Sequence, residues 1–276
     1  MDYLTKDFFS RCKAEFSKYG FKRKSKVFVR VINDVVQTLS IEALRSYSEC
    51  RVGFAIIPLC LRIEKNYILM GSYSRYLRRF EGTYGTSPSD SWKYDSKSEK
   101  SCEVCVDEIM RFLKQYLIPL YERANCCDTA LSEIFAVDKL FSYNGNREPN
   151  LNSQKMEGFA EHVALINYLD SPMYYMALKN NDYSLALKCR QAMLSQNLDS
   201  YNSFLANKPI FDGLVESGKL TEEDRKRWRE SLVQREESIE VLKEEVSHLE
   251  AKDVEYFQRL IKENEAYSKK VLESII

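Results

Sequence analysis

The chain has 276 residues, 44% hydrophobic and 30% charged, with no net formal charge and eight cysteines. This length suits two units that each bury a core, and the composition excludes wholesale disorder. No apolar run approaches the roughly 18 residues of a membrane span, and the opening MDYLTKDFF lacks the basic start and apolar core of a secretory signal. The expectation is a cytoplasmic protein with no membrane partner and with thiols kept free by a reducing compartment.

Charge is unevenly spread. Lys and Arg outnumber Asp and Glu by 19 to 11 over residues 1–100, and are outnumbered 10 to 15 over 101–218 and 12 to 15 over 219–276. Such a layout either lets the two halves attract each other or steers an acidic partner to the basic end.

In chain order, Leu4, Phe8, Cys12, Phe16 and Tyr19 recur at helical spacing, and Gly20 stands where a helix C-cap belongs. Phe21 then leads through Lys22, Arg23, Lys24 and Lys26, which read as a solvated basic connection. Residues 27–32 and 35–43 are rich in β-branched side chains and flank Asn33-Asp34, a pair that tolerates the left-handed backbone of a two-residue hairpin turn. That turn sets Ile32 opposite Val35, Arg30 opposite Gln37 and Phe28 opposite Leu39 on one face, with Val31 opposite Val36 and Val29 opposite Thr38 on the other. A third strand over 51–57, ended by Pro58, makes an antiparallel meander needing cover on one face, which the N-terminal helix supplies. A fourth strand is expected around 67–70.

Tyr73, Arg75, Tyr76, Arg78, Arg79 and Phe80 precede a long polar loop over 81–100, where Trp92 and Tyr94 either fold back on the sheet or form a binding lip. Residues 101–123 read as a helix burying Val104, Ile109, Phe112, Leu113 and Leu117 and interrupted by Pro119. A shorter helix over 124–141 and a linker over 142–154, with Asn144, Gly145, Asn146 and Pro149, follow. The fold class is therefore α+β: residues 1–142 form a meander packed by helices, and 155–276 form an all-α region.

The motifs Tyr19-Gly20-Phe21, Asp34-Val35-Val36-Gln37, the loop with Trp92 and Leu117-Ile118-Pro119-Leu120 together make the first half resemble the bacterial family called domain of unknown function 4304. The turn over 42–49 departs from that pattern. The resemblance implies no particular activity; by analogy, small bacterial families of this kind include toxin-neutralising immunity proteins.

In the back half, 156–168, 172–180 and 183–195 have helical periodicity, the last two joined by a tight Asn180-Asn181-Asp182 turn. With Ala177, Tyr183 and Ala186 they read as one tetratricopeptide-type hairpin, either an ordinary helix pair or a peptide-binding surface. Thr221 is a good N-cap, followed by Glu222, Glu223 and Asp224 at the positive end of a long helix. Its seam of Ile239, Leu242, Val246 and Leu249 fails at Asp253. An antiparallel helical pair bending near Lys252 is the expected arrangement, and dimerisation through these helices is the alternative.

Chemistry is sparse. Cys102-x-x-Cys105 with Cys126-Cys127 invites a zinc reading, but the first pair lies at a helix start without a turn glycine and adjacent cysteines chelate poorly, so no metal and no other cofactor is expected. Neither His162 nor His248 has a convincing Cys, Ser or carboxylate partner in sequence, and nine glycines form no phosphate-cradling loop. No catalytic residue is assigned, and the reading leans away from an enzyme toward a protein-binding module. The alternative partner is nucleic acid, approached through the basic front half and the interleaved Tyr73, Arg75, Tyr76, Arg78 and Arg79. One buried-face pair demands an explanation. Arg30 and Gln37 either find a carboxylate and an amide partner within the fold, or line a groove with Arg75, Arg79 and Trp92 that receives an acidic partner surface.

Overall fold

The computed structural model describes residues 3–44, 48–70, 75–76, 91–133 and 171–276. The linker over 142–154, the helix over 156–168 and the side chains of Tyr73, Arg78, Arg79 and Phe80 lie outside the described residues. The chain forms two compact units, one of Met1–Ala164 with Arg259–Ile276 and one of Leu165–Gln258. The sequence reading kept all of 155–276 together; residues from Arg259 onward instead belong with the sheet.

The first unit starts with helix α1 (Tyr3–Phe16), whose Leu4, Phe8, Cys12 and Phe16 are buried. A 3₁₀ turn follows, and Gly20, at φ 83°, ends it in the left-handed region that glycine adopts without strain. Phe21 N–H donates back to the Phe16 carbonyl, 3.2 Å away, which reverses the chain into the sheet. The basic connection is itself a strand. β1 (Lys22–Lys24) pairs with β2 (Val27–Ile32), and its charged side chains blunt the exposed edge.

β2 and β3 (Val35–Leu44) form the hairpin with every cross-strand pair in the expected register. Asn33, at φ 48°, supplies the left-handed turn residue. β4 (Glu49–Pro58) pairs along β3 to Pro58, whose missing N–H ends the ladder. The expected fourth strand is instead a one-turn helix, α2 (Lys65–Met70), because a four-residue apolar run fits either period. Two short strands, β5 (Arg75–Tyr76) and β6 (Trp92–Lys93), both pair with β4.

One face of the sheet carries Phe28, which meets Phe9 and Phe16 of α1 at ring distances of 5.9 and 6.2 Å. The same layer includes α3 (Glu99–Phe112), which packs beside α1 and places Met110 sulfur 3.5 Å from the Cys12 thiol. A π-helical turn (Leu113–Leu117) then lets α4 (Ile118–Arg123) restart with Pro119 in its first turn, where a missing N–H costs nothing. Val104 is not part of the buried stripe; it is 59% exposed, and Cys102, Cys105, Val106 and Ile109 face inward. The opposite sheet face needs cover too, since Val27, Val29, Val36, Ala55 and Ile57 are buried. Ser268 ties the segment after β4 in place, accepting from Ile63 N–H at 3.0 Å and donating to the Leu61 carbonyl at 2.7 Å.

The second unit contains α5 (Ser171–Lys179) and α6 (Tyr183–Ala206), joined by the expected tight turn with Asn181 at φ 59° and Asp182 capping Leu185 N–H. Next come α7 (Lys208–Glu216) and α8 (Glu222–Glu250). Thr221 and Asp224 form a reciprocal capping box. The helix breaks at Lys252, at φ 56°, before α9 (Val254–Glu273). The antiparallel partner of α8 is α6 rather than α9. In the seam Ile239, Leu242 and Leu249 are buried, while Glu245 takes the buried place beside a half-buried Val246.

Removing the cap hydroxyl with Thr221→Ala should lower the stability of this unit by about 1 kcal/mol. Urea unfolding followed by circular dichroism reads the change, and a shift below a few tenths of that would mean that the capping box is not formed in solution.

Candidate functional site

Arg30 sits in the apolar sheet face at 7% exposure, and its guanidinium donates to four acceptors within the fold. Nε donates to Gln37 Oε1 at 2.9 Å, Nη1 donates to the Tyr19 carbonyl and to Glu122 Oε1, both at 2.8 Å, and Nη2 reaches the Tyr121 carbonyl at 3.4 Å. Its plane lies 4.9 Å from the Phe21 ring. Gln37 is wholly buried, and its amide donates to the carbonyls of Tyr121 and Ala124 at 2.7 and 2.8 Å. These are terminal carbonyls of α4, which lack partners within the helix.

Trp92 is also an interior residue. It is 1% exposed, pairs with Cys50 across the β4–β6 ladder and packs edge-on against Phe112. Arg75 stands opposite Phe54 in the ladder, and its side chain, like all of Arg79, lies outside what the structure describes. Of the five residues assembled as a groove, Arg30, Gln37 and Trp92 thus make internal contacts.

The ion pair between Arg30 and Glu122 contributes little on its own, because the Glu122 side chain is 51% exposed. Hydrogen bonds from the buried guanidinium to Gln37 and to backbone carbonyls dominate. Arg30→Ala should therefore destabilise the sheet unit by about 3–5 kcal/mol, and Glu122→Ala by less than about 1 kcal/mol. Denaturant unfolding of the two variants would contradict this ranking if Glu122→Ala proved the more costly.

A second buried arginine organises the helical unit. Arg190 of α6 lies 3.5 Å above the Tyr174 ring of α5, and its Nε is 2.6 Å from Glu245 Oε2 of α8. Those two atoms are not aligned for a hydrogen bond, so the contact is an ion pair. Burial raises the Glu245 carboxyl above its ordinary 4.5, and Arg190 only partly offsets it. Burial, reinforced by the Glu245 charge, likewise pushes the Tyr174 hydroxyl up. A Glu within an apolar seam was the one local sign of this cluster.

The folded unit holds the Glu245 proton more tightly than the unfolded chain does, so its stability falls as pH rises from about 4.5 through the raised value. Glu245→Gln should flatten that slope. Urea unfolding of both proteins between pH 4 and pH 7 is the measurement, and parallel slopes would contradict the assignment.

Among the described residues, apolar side chains gather at the tip formed by the end of α6, by α7 and by the start of α8. None of α7 is buried although its sequence is amphipathic, and Ile210 is 65% exposed. Trp228 stacks on Phe204 at 4.8 Å and on Phe211 at 5.9 Å, with the Arg235 guanidinium 4.7 Å over Phe204. A Cβ placed on Gly213 would meet nothing within 4 Å. Acidic and basic residues are equal in number over 208–230. They pair locally, Lys208 with Asp212 and Arg225 with Glu222, both at 2.7 Å. The signal was present in the period of Ile210, Phe211, Leu214 and Val215.

Among the described residues no group of His, Cys, Asp or Glu could hold a metal ion, and no helix is long and apolar enough to cross a membrane. Comparison with protein-family models, curated proteins and solved structures returns no match. The resemblance to domain of unknown function 4304 therefore rests on its short motifs alone.

Proposed function

We propose that this protein is a non-catalytic protein-binding module whose docking surface is the α6–α7–α8 tip. The observation carrying this reading is an amphipathic helix that buries no residue, beside a stacked Phe204–Trp228–Phe211 cluster. Exposed apolar surface ringed by polar groups marks association sites, and aromatic residues supply most of the energy at such contacts.

The local charge selects the occupant. Nucleic acid and anionic membrane surfaces both require surplus positive charge, whereas the acids and bases around the tip balance and pair with each other. The occupant is another protein that presents an apolar face without surplus charge. An immunity-type role, in which the module holds one particular protein inactive, fits this chemistry by analogy.

Ile210→Asp places a charge at the centre of the surface without touching either core. Affinity for the co-purifying partner should fall at least tenfold, which corresponds to about 1.4 kcal/mol, while the melting temperature stays within about two degrees of the parent. Undiminished capture by the variant contradicts the assignment. Retention that depends on salt and vanishes after nuclease treatment points to nucleic acid, and a dimer of the chain alone makes a second copy the occupant.

A further inference from the structure

We propose that Cys50 and Cys105 form a modification site, a thiol pair that a small disulfide oxidant closes into an internal disulfide between β4 and α3. This inference is independent of the protein-binding reading. The two sulfurs lie 3.8 Å apart, in van der Waals contact, although 55 residues separate them in sequence. Both side chains are interior, at 0% and 3% exposure.

Their placement follows from the packing around them. Cys50 pairs across the ladder with Trp92, and the Trp92 ring packs edge-on against Phe112 on the same helix as Cys105, with ring centres 5.9 Å apart. That contact holds α3 against the sheet edge about two turns along the helix from Cys105. A disulfide needs about 2.05 Å between sulfurs, so each has to move roughly an ångström, which side-chain rotation supplies without shifting either element.

The remaining cysteines are arranged differently. The Cys12 thiol faces Met110 sulfur at 3.5 Å, and the Cys102 thiol faces the Asp95 carbonyl at 3.6 Å. Cys127 also meets a second thiol, Cys60, but its own thiol faces the Asp34 carbonyl at 3.7 Å and its N–H donates to the Asp34 carboxylate at 2.9 Å.

The reaction balances without any other reagent. A thiolate of the pair attacks one sulfur of RSSR and releases RS⁻, and the second thiolate then displaces the other RS⁻ from the mixed disulfide. Overall, two protein thiols and one RSSR give one protein disulfide and two RSH; the protein is oxidised by two electrons, the oxidant is reduced, and both thiol protons leave with RSH. Because the pair is interior, the rate is set by local opening of α3 from the sheet edge. The product staples that helix to the strand and restricts further opening.

The test is incubation of the reduced full-length chain with glutathione disulfide in native buffer, followed by alkylation, intact mass and peptide mapping. The expected result is a loss of two mass units, six alkylated thiols in place of eight, one crosslinked peptide joining residues 50 and 105, and a melting temperature several degrees higher that dithiothreitol reverses. Cys105→Ser, close in size, should lose both the crosslink and the thermal gain; should this variant fail to fold, mapping of the parent decides by itself. Eight free thiols, a stable glutathione adduct in place of the crosslink, or a bond joining other cysteines would overturn the assignment.

Discussion

A guanidinium inside an apolar sheet face needs acceptors for its donors, and the sheet unit is arranged so that three of its elements supply them to Arg30. The side chain gathers the Tyr19 carbonyl beyond α1, the Gln37 amide on β3, and Tyr121 and Glu122 at the end of α4. Gln37 completes the arrangement by donating to two carbonyls at the α4 terminus. A helix C-terminus carries unpaired acceptors and partial negative charge, and the sheet brings it a cation and an amide. Each side leaves unsatisfied polar groups without the other, so the cluster ties hairpin, first helix and fourth helix into one arrangement.

The two buried arginines are neutralised by different means, with different consequences. Around Arg30 the buried acceptors are a side-chain amide and backbone carbonyls, which do not titrate, and the carboxylate partner is half exposed. Around Arg190 the partner is a carboxylate that is itself buried, at 8% side-chain exposure. Desolvation raises that carboxyl above its ordinary value, so the stability of the helical unit falls as pH rises through the raised value. The aromatic plane beneath each guanidinium, Phe21 in one case and Tyr174 in the other, fits the preference of a weakly hydrated flat cation for a ring face.

What the sequence disclosed was local. The β2–β3 register was legible because a strict two-residue period and a two-residue turn admit one alignment, and the Thr221 cap and the break at Lys252 were legible from neighbouring residues. That Arg30 required partners followed from its place on the apolar face; that Glu122 was among them did not, since it lies 92 positions further along the chain. Tyr67–Met70 was misread because four apolar residues cannot distinguish helix from strand. The Cys50–Cys105 contact, the burial of Glu245 and the inward seat of Trp92 depend on tertiary packing that no short window contains. The exposed tip was different: its helical period was present in 208–216, and only packing could reveal that none of its residues is fully buried.

The central claim is that Arg30 and Gln37 act together as an internal lock. A double-mutant cycle of Arg30→Ala and Gln37→Ala, read by denaturant unfolding, tests it most directly. The account predicts strong coupling, with the double variant losing at least about 1 kcal/mol less than the two single losses combined. Additive losses, or single variants within about half a kcal/mol of the parent, would contradict the lock and return both side chains to the surface role of binding a partner.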